Sequence, residues 1–459
     1  MVLSDRIPWP RRGDTLSPGI NRPSAVSVAC ALGEGAPGVC ASATLKPDRS
    51  NNQQKIRTFE KITWIDTARG KRARAPFKIK GTDSQYYREE ARICLRFSTD
   101  FPLARTNHFF MNPPTHATDP RMSLLLKWLA TLDPAISLKI NSLAPASSDA
   151  SFRRYFRIEA HSSTLIVMDA PPPQENCQPF VDVAARLAAV NLNVPQILAQ
   201  DLQQGFLLLS DLGPTTYYAK IQQGLPDAEL QALYRDALGA LVTLQTANHA
   251  GLPIYDAKRL KIELGLFVEW YVTVHCKVTL EAAVLQQLEQ VFDLLVEHNA
   301  AQPIVLVHRD FHSPNLMLSE RPEHGANPGV LDFQDAVAGP ITYDLASLVV
   351  DARTTWEEPQ QIDWAIRYWE LARKQGLPVP ADFAEFHRDY EWMGLQRNLR
   401  ILGVFARLNH RDGKAAYLAH MPRVNQYVRQ VAARYIAFKP LLRVLDQLDQ
   451  IQTKVGYTF

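Results

Sequence analysis

Residues 305–318 read VLVHRDFHSPNLML and residues 329–351 read GVLDFQDAVAGPITYDLASLVVD. Two short apolar runs, Ile304 to Val307 and Val330 to Leu331, each lead into a loop carrying carboxylates and an amide, the pattern of strands that deliver polar ligands to one edge. Asp310, Asn315 and Asp332 then form a set able to hold a divalent ion and set a carboxylate beside a hydroxyl. Phosphoryl transfer needs such a set, because there the protein mainly positions groups and neutralises charge.

Outward from this stretch, 459 residues predict two or three domains, and 46% hydrophobic with 21% charged residues is ordinary for a soluble globular chain. The five cysteines are scattered and lack Cys-x-x-Cys spacing, which argues against a disulfide framework or a zinc site and for a reducing compartment. No apolar run approaches the roughly 18 residues of a spanning helix, and the small-residue stretch 25–43 makes a poor secretion signal. The expectation is a cytoplasmic, monomeric protein that contacts no membrane.

The formal net charge of +3 hides an asymmetry. Residues 1–121 carry 20 Lys and Arg against 11 Asp and Glu, whereas residues 122–459 carry 30 against 36. The first segment is rich in Pro, Arg, Ser and Asn and shows no sustained period. Its basic residues do not cluster on a helix and no aromatics are interleaved with them, so nucleic-acid binding is not expected. It reads as a disordered or spurious N-terminal extension that activity does not need.

From Met122 the pattern is orderly. A short amphipathic helix at 122–132 precedes three strands, SLKINSL at 137–143, RRYFRIE at 153–159 and TLIVMDA at 164–170. A helix follows at 182–191, then GFLLLSDLG at 205–213, a buried strand that breaks at Gly-Pro. Helical spacing then dominates at 227–248, 260–275, 279–299, 361–375, 381–410 and 421–437. An α+β fold follows, with a sheet-rich lobe over 122–211, a helical lobe over 212–459 and a ligand cleft between them.

Asp310 and Asn315 stand five apart, and Asp332 opens D-F-Q after the next strand, much as a kinase catalytic loop and D-F-G motif are spaced. HRDFHSPNLML with LDFQDAVAGPITYDLASL resembles the aminoglycoside phosphotransferase (choline kinase-like) family, over roughly residues 122–440. Within it, SSDASFRRYFR at 147–157, IVMDAPP at 166–172 and DYEWMGLQRNLRILGVFARLNHRDGKAAYL at 389–418 are similar to bacterial anomeric N-acetylmuramate/N-acetylglucosamine kinases of cell-wall recycling. The resemblance implies a protein-kinase-like fold and transfer of phosphate from ATP with Mg²⁺ to a small sugar. An alternative within the same fold is a kinase acting on an aminoglycoside, choline or another sugar; outside it, a nucleotide-binding pseudokinase scaffold.

Carried over residue by residue, the resemblance implies Asp310 as the base for the sugar hydroxyl, with Asn315 and Asp332 as Mg²⁺ ligands. His308 braces the loop. Asp344 is structural support, capping its own helix, pinning the catalytic loop, or both. Asp335 is either a further metal or substrate contact or a solvated acid. The strand LIVMDAPP has Met168 where kinases place a lysine, with Asp182 near the expected helix acid, and no Gly-x-Gly-x-x-Gly precedes it. Ser148, Ser151, Arg153 and Arg154 are the candidates to hold phosphate in its place. The two arginines cannot both face inward, since successive strand side chains alternate. Ser210, Asp211 and Leu212 match the family's adenine-binding hinge, although Asp211 also reads as a turn cap.

Residues 363–459 hold 15 Lys and Arg against 9 Asp and Glu, which suits a neutral or anionic sugar better than a polycationic aminoglycoside. Trp392, Leu395, Leu399, Leu402 and Ala406 form an apolar seam on one helix, with Gln396, Arg397 and Arg400 off it. Arg397 is the candidate partner of a sugar carboxylate, the alternative being an ordinary surface charge.

Overall fold

The computed structural model describes residues 56–66, 71–80, 119–148, 152–161, 163–172, 174–321 and 324–449. The chain divides into two units, 1–114 and 115–459. In the first, where no period was expected, β1 (Ile56–Asp66) pairs antiparallel with β2 (Lys71–Lys80).

The second unit opens on α1 (Pro120–Ala130), a little before the boundary expected at Met122. The Asp119 side chain caps it by accepting from the Arg121 N–H, and proline at the first helical position is pre-shaped for that place. Five strands follow, β3 (Lys139–Ser148), β4 (Arg154–Glu159), β5 (Thr164–Asp169), β6 (Ile197–Asp201) and β7 (Phe206–Ser210), with α2 (Gln178–Ala189) between β5 and β6. They form one antiparallel sheet in the order β3-β4-β5-β7-β6.

Phe206 to Leu209 of β7 are all buried, because both faces of the sheet are covered. Phe206 and Leu208 join Leu165, Val167 and Phe156 against Leu125, Trp128 and Leu129 of α1. Leu207, Leu209 and Met168 belong with Phe180, Val183 and Leu187 of α2 to the main core. Alternation along the strands therefore assigns every side chain to an α1 face or an α2 face.

The helical part begins with α3 (Tyr217–Gln222), α4 (Asp227–Gln245), α5 (Ala257–Leu266), a π-helical turn at Phe267–His275 and α6 (Ala282–Ala300). Four short strands interrupt it: β8 (Ile304–Val307), β9 (Leu316–Met317), β10 (Gly329–Val330) and β11 (Val337–Pro340). Then come α7 (Tyr343–Val349), α8 (Glu358–Lys374), α9 (Phe383–His410), α10 (Met421–Arg434) and α11 (Lys439–Leu448).

Helix α9 is the spine of this lobe. The expected seam of Trp392, Leu395, Leu399, Leu402 and Ala406 is buried, but so are Gln396, Arg397 and Asn398, because α9 is covered on more than one side. It crosses the end of α5 so closely that a Cβ on Gly403 would stand 2.4 Å from the Leu266 carbonyl, and only glycine permits that approach. The fold is thus α+β, with a five-stranded antiparallel sheet over 139–210 and a mostly helical part after it.

Candidate active site

Strand β8 pairs antiparallel with β11 and releases the chain at His308 into a loop that turns sharply. Arg309 has a φ of +78°, a left-handed conformation that a non-glycine residue adopts only when its surroundings enforce it. Asp344 enforces it here: its carboxylate accepts from the His308 N–H at 2.6 Å and the Arg309 N–H at 2.9 Å. The N-cap of α7 is Thr342, so the Asp344 carboxylate serves the loop rather than the end of its own helix.

The His308 ring ties this loop to the next. Its Nδ1 accepts from the Asp310 N–H at 3.3 Å, so Nε2 carries the proton given to the Leu331 carbonyl at 2.8 Å. Leu331 precedes Asp332, and β9 pairs with β10 in the register Gly329 to Met317 and Val330 to Leu316. Asn315 and Asp332 are brought together as a result. Asn315 Nδ2 lies 3.2 Å from Asp332 Oδ2 and 3.0 Å from the Asp310 carbonyl oxygen. Asp332 is exposed and left-handed at a φ of +61°, with Gln334 Nε2 donating to its other oxygen at 2.8 Å.

The electrostatics separate the two buried acids of the loop. Burial pushes Asp344 up to about 6, despite the opposing His308 ring and two N–H donors. Burial acts on Asp310 in the same direction, but His312, Arg400, Arg397 and His308 outweigh it and hold the carboxyl at about 2. Burial also lowers His312 to about 4, so near neutral pH its ring is uncharged and the two arginines remain as cations beside Asp310. Arg400 Nε is 3.0 Å from Glu263 of α5. Arg397 is 3% exposed, and its Nε and one terminal nitrogen have no hydrogen-bond partner.

Near these loops stands Arg153, paired with Glu175 at 3.1 Å and within electrostatic reach of Asp335 and Asp332. Asp335, like Asp332, is exposed. Phe333 packs its ring 4.8 Å from that of Phe180, which fastens the D-F-Q loop to α2. Arg153 thus brings a cation to the exposed Asp332 and Asp335, beside the Asn315 amide, an arrangement able to hold a phosphate chain.

The family model described as "Phosphotransferase enzyme family" matches residues 142–386. The chain belongs to this family. It is 48% identical over 309 residues to N-acetylmuramate/N-acetylglucosamine kinase of Pseudomonas aeruginosa, covering 67% of this chain and 89% of that one. The protein of the same name from Neisseria meningitidis is 43% identical over 344 residues, covering 74% of this chain and 99% of that one. Among solved structures, a choline/ethanolamine kinase family protein from Mesorhizobium loti matches at 16% identity with a TM-score of 0.47, over 71% of this chain and 99% of that one. An ADP-bound aminoglycoside phosphotransferase matches at 12% identity with a TM-score of 0.47, over 68% and 99%.

Several expected site residues of this phosphotransferase stand elsewhere than the sequence placed them. Arg154 is directly opposite Asp169 in the β4–β5 register and so lies on the α1 face, where it pairs with Asp119 and the fully buried Asp169. Arg121 adds a second cation to Asp169 at 2.8 Å. Arg154 therefore meets the acids of the α1 face, and Arg153 lies on the side of Asp332 and Asp335. The Asp211 carboxylate is occupied by Arg157, Thr164 and the Gly213 N–H, so its side chain is the turn cap. Burial raises its pKa, but these bonds outweigh it and the net shift is downward.

The Ser210 hydroxyl accepts from the Gln196 N–H at 2.8 Å, and the Leu212 side chain packs against Gly329. Arg397 is buried, not a surface charge. Asp182 is exposed and bonded to Gln178, while Met168 is fully buried against α2. Ser151 and the side chain of Ser148 lie outside the described residues. Glu175, Glu263 and Arg400 were not singled out as site residues by sequence, since each looks like an ordinary charge in a loop or on a helix. Only the proximity of an arginine or of Asp310 marks them.

Proposed function

We propose that this phosphotransferase moves the γ-phosphoryl group of ATP to the anomeric C1 hydroxyl of N-acetylmuramate or N-acetylglucosamine. The observation that carries the reaction type is the convergence of Asp310, Asn315 and Asp332 at adjoining loop ends. The substrate class rests on the relatives named above, which match over most of their own length.

Asp310 accepts a hydrogen bond from the C1 hydroxyl and receives its proton as the bond to phosphorus forms. A carboxyl held at about 2 is ionised throughout the neutral range and orients the hydroxyl rather than stripping it early. Asn315 and Asp332 fit Mg²⁺ as hard oxygen ligands. A Mg²⁺ ion held by these two side chains would take its other ligands from phosphate oxygens and water. When bound, Mg²⁺ neutralises phosphate charge. Arg153, steadied by Glu175, supplies the cation that Met168 cannot, and the backbone of Ser210 to Leu212 borders the base.

The test is the purified full chain with ATP·Mg²⁺ and a panel of N-acetylmuramate, N-acetylglucosamine, kanamycin and choline. Sugar 1-phosphate is expected, with Asp310→Asn lowering kcat by about 10³-fold. Turnover of kanamycin or choline in place of both sugars overturns the acceptor, and ATP binding without transfer supports the scaffold alternative.

A further inference from the structure

Beside the catalytic loop, between α5 and α9, lies a cavity of about 460 Å³. Five basic side chains line it: Lys258, Arg259, Arg309, Arg400 and Arg407. Glu263 is the carboxylate that meets them, at 3.0 Å from Arg400, 3.6 Å from Arg309 and 3.8 Å from Arg259, and it also accepts the Tyr255 hydroxyl. The other acid in the wall, Asp256, uses an oxygen to cap α5 at the Arg259 N–H. Positive charge is left over.

Nε of Arg309 and Nε of Arg407 are buried without a hydrogen-bond partner, and buried donors of this kind normally find an acceptor. Arg400 joins the cavity to the reaction centre, for it lines the wall and its charge also acts on Asp310. The lining also carries exposed apolar side chains, Ile254 at 68% and Ile262 at 62%. A ligand that bears one anionic group and small apolar groups, held next to the hydroxyl that Asp310 orients, matches these features.

We infer that this cavity is a carboxylate subsite that takes the lactyl group of N-acetylmuramate, with Arg407 and Arg309 on the carboxylate and Ile254 and Ile262 against the methyl. The inference rests on the proposed sugar kinase reading and deepens it. Arginine forks bind carboxylates bidentately, and desolvation inside the cavity strengthens the pair. N-acetylglucosamine lacks the group and leaves the same donors unsatisfied. Arg407 is then a specificity residue, whereas the carboxylate contact expected of Arg397 by sequence is better served from this cavity.

The decisive measurement is the ratio of kcat/KM for N-acetylmuramate to kcat/KM for N-acetylglucosamine, in the wild-type chain and in Arg407→Met and Arg407→Lys. A ratio taken on one preparation is indifferent to the folded fraction. Arg407→Met is expected to lower the ratio at least about tenfold, with Arg407→Lys in between. An unchanged ratio overturns the subsite. Calorimetric titration with N-acetylmuramate in the absence of ATP separates this from the kinase reading. Binding that Arg407→Met weakens about tenfold supports the subsite even where no phosphate is transferred, and no binding, or binding that Arg407→Met does not alter, refutes it.

Discussion

Replacing Asp344 by asparagine tests how the catalytic loop is held. In the wild type the fully buried carboxylate accepts two backbone N–H bonds, and burial raises its pKa from 3.8 to about 6. A folded-state pKa above the unfolded one means that the folded chain binds the proton more tightly. The stability contributed by this group is therefore present below pH 3.8 and is lost as pH rises towards about 6, then stays level. A rise of that size corresponds to about 3 kcal/mol of burial cost near neutral pH. Asparagine removes that cost but turns an NH₂ towards one N–H, leaving it unsatisfied at about 1–3 kcal/mol.

Near pH 7.5 the Asp344→Asn variant should thus unfold within about 2 kcal/mol of the wild type. Between about pH 4.5 and pH 7.5 the difference between the two proteins should move by about 2 kcal/mol in favour of the variant. Urea denaturation at both pH values measures it. Activity should behave differently, since an Asp310 displaced by about 1 Å loses roughly 10²-fold in kcat. A stability difference that is flat with pH, or a kcat equal to wild type, would refute the account of Asp344 as a buried charge that holds the loop.

Three other substitutions probe the architecture and the cleft. Gly403→Ala places a methyl 2.4 Å from the Leu266 carbonyl, where backbone cannot yield, and should lower stability by about 1–3 kcal/mol in a denaturant titration. Arg153→Met should raise KM for ATP about tenfold or more, because the cation opposite Asp332 and Asp335 is gone. Arg154→Met should leave KM for ATP in place and instead destabilise the sheet by about 1–3 kcal/mol, since among the described residues buried Asp169 keeps Arg121 as its one cation. The reverse pattern in the two arginine variants would invert the assignment of faces.

Much of this protein was legible along the chain because its signals are local. The spacing of Asp310 to Asn315, the D-F after the next apolar run and the period of each helix depend on neighbours a few residues apart, and they implied the two-lobed α+β fold and the reacting set. Turn chemistry was local too, as in the capping of α1 by Asp119, but that signal sits just before the expected boundary and was passed over. Tertiary structure decided what depends on partners far away in sequence. Alternation required Arg153 and Arg154 to part, yet only the α1 helix and Asp169 determined which way each faced. Arg397 looked like a surface charge until the packing around α9 buried it. The Asp211 carboxylate had no evident partner until folding set Arg157 and Thr164 against it. The basic cavity draws Lys258, Arg309 and Arg407 from three separate elements, and no run of sequence announces it. A motif records which chemistry a chain can perform; the charges that choose its substrate are assembled by folding.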